Sequence, residues 1–172
     1  NSINVARFLP QAFYYFYGYA QLAKRGQDLS NIVVSVPSGN FGNITAALIG
    51  KRMGLPIKRF IAANNKNDIF LQYLKTGIYS PKASVATIAN AMDVGDPSNF
   101  ARVLDLYQHS HKAICNEISG CSYTDEQIAD TMAKTYKETG YLLDPHGAVA
   151  YRSLEEGLDK NETGIFIETA HP

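Results

Sequence analysis

The stretch "VPSGNFGNITA" (36–46) sets two glycines and two asparagines between an apolar run and a segment that reads as a helix over 44–53. A loop leaving a strand and entering a helix aims backbone N–H groups, and the positive end of the helix dipole, at one point. Gly39 and Gly42 are expected to supply positive φ and close backbone approach. Asn40 and Asn43 are expected to tolerate left-handed conformations and to add side-chain donors. The chemistry offered is anion binding, most simply of a phosphate. A tight turn with asparagine caps is the alternative reading. Two familiar phosphate motifs fail: the spacing is too short for a P-loop and lacks its lysine, and Gly39 and Gly42 do not make G-x-G-x-x-G.

Magnitude narrows the ligand. Hydrogen bonds to a charged group contribute about 1.5–3 kcal/mol each, so three or four give roughly 5–10 kcal/mol before ordering costs. Such a cradle alone holds a small phosphate ester weakly. A tightly held cofactor needs a covalent bond or a stacked ring as well, which points to pyridoxal 5'-phosphate, whose lysine can lie far away in sequence.

Other residues with chemical potential carry weaker patterns. Tyr14, Tyr15, Tyr17 and Tyr19 cluster like an aromatic ligand box, but core packing and a docking surface explain them better. Cys115 and Cys121 match neither a redox C-x-x-C nor a zinc spacing, so both are expected to be reduced thiols in a cytoplasmic protein. His109 and His111 diverge on any regular element, so no metal site is expected. His146, in "DPHGAVA", lies in the first turn of an expected helix and reads as structural, with an approach to the active site as the alternative; His171 is assigned no role.

The elements that must position the loop follow from periodicity. Residues 1–25 carry apolar positions on one helical face, with Ser2 as N-cap and Gly26 as stop. "IVVSV" (32–36) reads as a parallel strand buried on both faces, and "RFIAA" (59–63) as a second strand. Asn67 is expected to cap a short helix that Gly77 ends, and a further helix runs around Phe100, Val103, Leu104 and Tyr107. Thr124 and Gln127 form a capping box opening a helix to about Gly140, and Asp144-Pro145 starts another. "GIFIE" (164–168) reads as a last buried strand. The strand–helix alternation predicts an α/β fold, a parallel sheet flanked by helices with right-handed crossovers. Residues 1–172 read as one α/β unit, with a less regular helical region over 78–145.

Sixteen Lys and Arg balance sixteen Asp and Glu in 172 residues, and no basic block stands out. Neither nucleic acid nor a membrane is an expected partner. The chain opens at Asn1 without Met and stops at "ETAHP" after an expected strand, so a longer protein is expected around it.

The segments "NSINVARFLPQ", "VPSGNFGNITA", "GLPIKRFIAANNKND", "LQYLKTGIY", "NAMDVGDPSNFARV", "LLDPHGAVAY" and "ETAHP", in this order, resemble the threonine synthases, fold-type-II pyridoxal-phosphate enzymes. The glycine loop would fit many fold-type-II enzymes, whereas "AMDVGDPSNF" and "TAHP" are more particular. The resemblance implies a partial tryptophan-synthase-β-like architecture and the conversion of O-phospho-L-homoserine and water to L-threonine and phosphate. It implies that backbone N–H groups of Gly39, Asn40, Phe41, Gly42 and Asn43 hold the cofactor phosphate. Thr169 would meet the pyridine nitrogen as a neutral partner, or else be an ordinary residue at a strand end. Ser2 and Arg7 would grip the substrate phosphate, against the alternatives of a helix cap and a surface charge. The family's Schiff-base lysine lies upstream of what matches Asn1, so no catalytic residue is expected here, and the chain alone is expected to be inactive without the rest of its protein. A related phospholyase releasing a keto acid and a non-catalytic phosphate-binding module remain as alternatives.

Overall fold

The computed structural model describes residues 4–170. Four parallel strands form one sheet in the order β3-β2-β1-β4, with β1 Ile32–Pro37, β2 Ile57–Asn64, β3 Ile118–Ser122 and β4 Thr163–Phe166. Every residue of the central strand β1 is buried, as its unbroken apolar run predicts. β4 is only half-buried, contrary to the expectation of a buried strand, because it stands at the edge of the sheet.

The helices are α1 Val5–Phe8, α2 Ala12–Lys24, α3 Gly42–Arg52, α4 Ile69–Thr76, α5 Phe100–Leu106, α6 His111–Glu117, α7 Asp125–Thr139 and α8 Pro145–Gly157. The single helix expected over 1–25 is broken by a 3-10 turn at Leu9–Gln11. Pro10 is the cause, since it has no N–H to continue the ladder. Asn4, not Ser2, caps α1 by accepting from the Ala6 N–H at 2.9 Å, and Ser2 lies outside the described residues. The Thr124–Gln127 capping box and the Asp144 cap of α8 stand as the residue types predict. β3 and α6 have no counterpart in the periodicity, because "ISGCS" carries too little apolar alternation to read as a strand.

The main core lies on the α2–α3 side of the sheet and continues into an aromatic cluster beneath the glycine loop. Phe41 meets Phe70 at 4.7 Å between ring centroids, and Tyr73 meets Phe100 edge-on at 4.8 Å. Each such pair contributes about 0.5–1.5 kcal/mol beyond area burial. A second cluster, around Ala63, Met92, Ile128, Leu143 and Val149, joins α7 and α8 to the other side. Among the described residues no helix is long and apolar enough to cross a membrane.

Candidate active site

β1 ends at Pro37, and α3 starts at Gly42, two residues earlier than periodicity suggests. That places Gly42 and Asn43 in the first turn, where helix geometry leaves N–H groups without acceptors. The N-cap position, usually Ser, Thr, Asp or Asn, is Phe41, which makes no side-chain cap bond. Ile44 N–H is satisfied by Asn43 Oδ1 at 2.8 Å. The N–H groups of Gly42 and Asn43 have no acceptor among the described residues.

Phe41, rather than a glycine, carries the left-handed turn, at φ 64°. Neither Gly39 nor Gly42 has positive φ, against expectation. A bulky residue in this conformation costs about 1–2 kcal/mol. Burying its ring, 1% exposed, returns about 1.5–3 kcal/mol and holds the strained turn in place. Gly39 is needed for a different reason: a Cβ there would stand 2.8 Å from Met92 Cα and 2.9 Å from Ala91 O. The close approach is to the 3-10 turn Asn90–Met92, which packs directly on the loop.

The side chains of both asparagines brace the loop. Asn43 Nδ2 donates to Pro37 O at 2.8 Å. Asn40 Oδ1 accepts from Ser98 N at 2.7 Å and from Ser98 Oγ at 2.9 Å, while Asn40 O accepts from Asn99 Nδ2 at 2.9 Å. Tyr15, buried in α2, donates its hydroxyl to Asn43 O at 2.9 Å, and burial holds that phenol well above its usual pKa. Thr45 Oγ1 closes the turn on Phe41 O at 2.6 Å.

A part-buried amide–carboxylate network holds the bracing segment. Asp93 accepts from Asn65 Nδ2 at 2.8 Å, Asn67 Nδ2 at 3.1 Å, Thr87 Oγ1 at 2.7 Å and Thr87 N at 3.0 Å. Asn67 is therefore spent here instead of capping α4, whose N-cap is Asp68 without a side-chain bond. Asp93 lies in the "AMDVGDPSN" segment, which thus serves as the frame of the loop.

The loop opens on a cavity of about 700 Å³ whose wall includes Gly39, Asn40, Phe41, Gly42, Asn43, Arg7 and Thr169. The structure brings together every site residue expected from sequence within the described range. Arg7 and Thr169 are exposed at the rim, on α1 and just past β4. Tyr14, Tyr15, His146 and Glu168 also line the cavity without having been singled out as ligands. The aromatic spacing of α2 concealed that Tyr15 turns inward, and nothing in the local sequence marks Ser98 or Asn99 as braces.

The donor set fits a phosphate: uncapped first-turn N–H groups, the helix dipole behind them, and a rigid frame on three sides. It fits pyridoxal 5'-phosphate in particular, because a ring-sized cavity adjoins the cradle. A family model described as pyridoxal-phosphate dependent enzyme matches residues 5–167. The chain is 51% identical over all its 172 residues to threonine synthase of Haemophilus influenzae. Its structure superposes on threonine synthase from Escherichia coli with a TM-score of 0.90 at 47% identity, covering the whole chain and 39% of that protein. It superposes on pyridoxal-phosphate-bound threonine synthase from Brucella melitensis with a TM-score of 0.91 at 32% identity, covering the whole chain and 42% of that protein. The chain spans about 40% of the length of the curated relatives it matches. The chain belongs to the pyridoxal-phosphate dependent enzyme family.

Proposed function

We propose that this chain supplies the cofactor-phosphate cradle of a threonine synthase, whose full-length form converts O-phospho-L-homoserine and water to L-threonine and phosphate. The uncapped first turn of α3, opening on a cavity that Arg7 and Thr169 share, is the observation that carries this reading. Main-chain N–H groups of Gly39, Asn40, Phe41, Gly42 and Asn43 hold the cofactor phosphate. Thr169 meets the ring nitrogen through a neutral hydroxyl. When bound, pyridoxal phosphate supplies an electron sink for charge developing beside the substrate amine.

Arg7, joined by Ser2, takes the substrate phosphate. A guanidinium stays charged across the working pH range and meets phosphate oxygens two at a time. The two phosphates are thereby sorted by chemistry. The cofactor's sits on neutral N–H groups in a part-buried cradle, and the substrate's on a cation at an exposed rim. The lysine that anchors the cofactor is contributed from outside these residues, so the isolated chain does not turn over.

The test supplies O-phospho-L-homoserine to the full-length protein and quantifies phosphate, threonine and 2-oxobutyrate together. Phosphate matched by threonine is expected. Phosphate matched by 2-oxobutyrate would replace the synthase by a phospholyase, and no phosphate release would overturn both.

A further inference from the structure

His146 lines the cavity, yet its bonds run to the frame of the loop. Its Nε2 lies 3.2 Å from the Ala91 N–H. Facing a donor, Nε2 must be the acceptor, so Nδ1 carries the ring proton. That proton is donated to Asp144 Oδ1 at 2.7 Å. Asp144 is itself immobile: it is 1% exposed, and the same oxygen caps α8 by accepting from His146 N at 2.7 Å and Gly147 N at 3.3 Å. The tautomer and the position of the ring are both fixed by the start of α8.

Ala91 is the residue through which this acts. Its N–H meets His146, and its carbonyl oxygen stands against Gly39, 2.9 Å from where a Cβ would be. The two ends of one residue thus join the helix cap of α8 to the phosphate loop. Among the described residues no other acceptor stands on the Ala91 N–H. Losing it would leave a donor unpaired and free the turn to move off Gly39.

We propose that His146 is a positioning residue for the cofactor phosphate, acting through the Ala91 peptide on Gly39. The proposal rests on the cradle reading above. It makes a distinction by ligand: the effect of His146 follows the phosphate group, whereas a residue touching the pyridine ring would affect cofactors with and without phosphate alike.

The experiment uses full-length protein and three probes: pyridoxal 5'-phosphate, pyridoxal and inorganic phosphate. Affinities are measured for wild type, His146→Phe, which has no acceptor, and His146→Gln, whose carbonyl reaches toward the Nε2 position. His146→Phe is expected to weaken pyridoxal phosphate and inorganic phosphate about tenfold while leaving pyridoxal within about twofold. His146→Gln is expected to restore most of the loss. Equal losses for pyridoxal and its phosphate, or no loss for either, would overturn the positioning role. If wild type binds pyridoxal no more weakly than pyridoxal phosphate, the cradle reading itself fails. Should His146→Phe not fold, His146→Asn is the replacement, polar but too short to reach Ala91, and the same comparison decides.

Discussion

The two ends of the sheet handle hydrogen bonds in opposite ways. At the amino end of the strands, Glu162 has its side chain fully buried and every oxygen engaged. Lys58 Nζ lies 2.9 Å from Oε1, Arg59 Nε donates to Oε1 at 3.0 Å, and Asp159 N donates to Oε2 at 3.0 Å. Arg59 also donates to Gly157 O at 2.6 Å, locking the last residue of α8 to β2. At the carboxyl end, the first turn of α3 keeps donors without acceptors among the described residues, and a phenylalanine is held at positive φ beside them. One end closes its bonds and contributes stability. The other holds bonds open and spends neighbouring contacts on keeping them so, as a binding site requires.

Breaking the open end should have the largest effect. Gly39→Val would drive a side chain into Met92 Cα and Ala91 O, and cofactor affinity is expected to fall by more than about a hundredfold. Absorbance titration with pyridoxal phosphate reads this directly. Next in size is the closed end. Glu162→Gln leaves Arg59 and Lys58 without their anion, and both cations are part-exposed, so the expected loss is about 2 kcal/mol of unfolding free energy. Its effect on cofactor affinity should stay within about twofold, because the two ends share no partner. Denaturant unfolding and the same titration separate the two.

The closed end also has a pH signature. Hydrogen bonding from Arg59, outweighing burial and helped by Asp159 N and Lys58, lowers the Glu162 carboxyl from its ordinary 4.5 to about 2. A depressed carboxylate contributes stability that is present above its unfolded value and lost as pH falls from about 4.5 toward 2. Stability measured across that window should be flatter in Glu162→Gln than in wild type. The smallest effect is expected at Tyr15→Phe, which removes the hydroxyl holding Asn43 O. A loss of about 1 kcal/mol, or roughly fivefold in cofactor affinity, is the expected reading.

The centre of the sheet was readable because β1 and β2 are short, apolar and bounded by turn residues, and α7 and α8 announce themselves through Thr124 and Asp144. The glycine loop was readable as a strand-to-helix connection because it falls between an apolar strand and an amphipathic run. What its residues do individually was not. Asn40 and Asn43 look like ligand donors in sequence, but Asn43 Nδ2 is committed to Pro37 O, and Asn40 Oδ1 accepts from Ser98. The positive φ falls on Phe41 because a buried ring beneath it compensates the strain, a tertiary effect that no local pattern reports. Tyr15, Ala91, Ser98 and His146 lie up to about a hundred residues away from the loop they brace, and only the folded chain brings them to it.

The most direct measurement is a crystal structure of the full-length protein with pyridoxal 5'-phosphate bound. Phosphate oxygens within about 3.2 Å of the Gly42 and Asn43 N–H groups, with Phe41 still at positive φ, are the predicted result. A phosphate seated on Arg7 instead, with the first turn of α3 left facing water, would contradict the account.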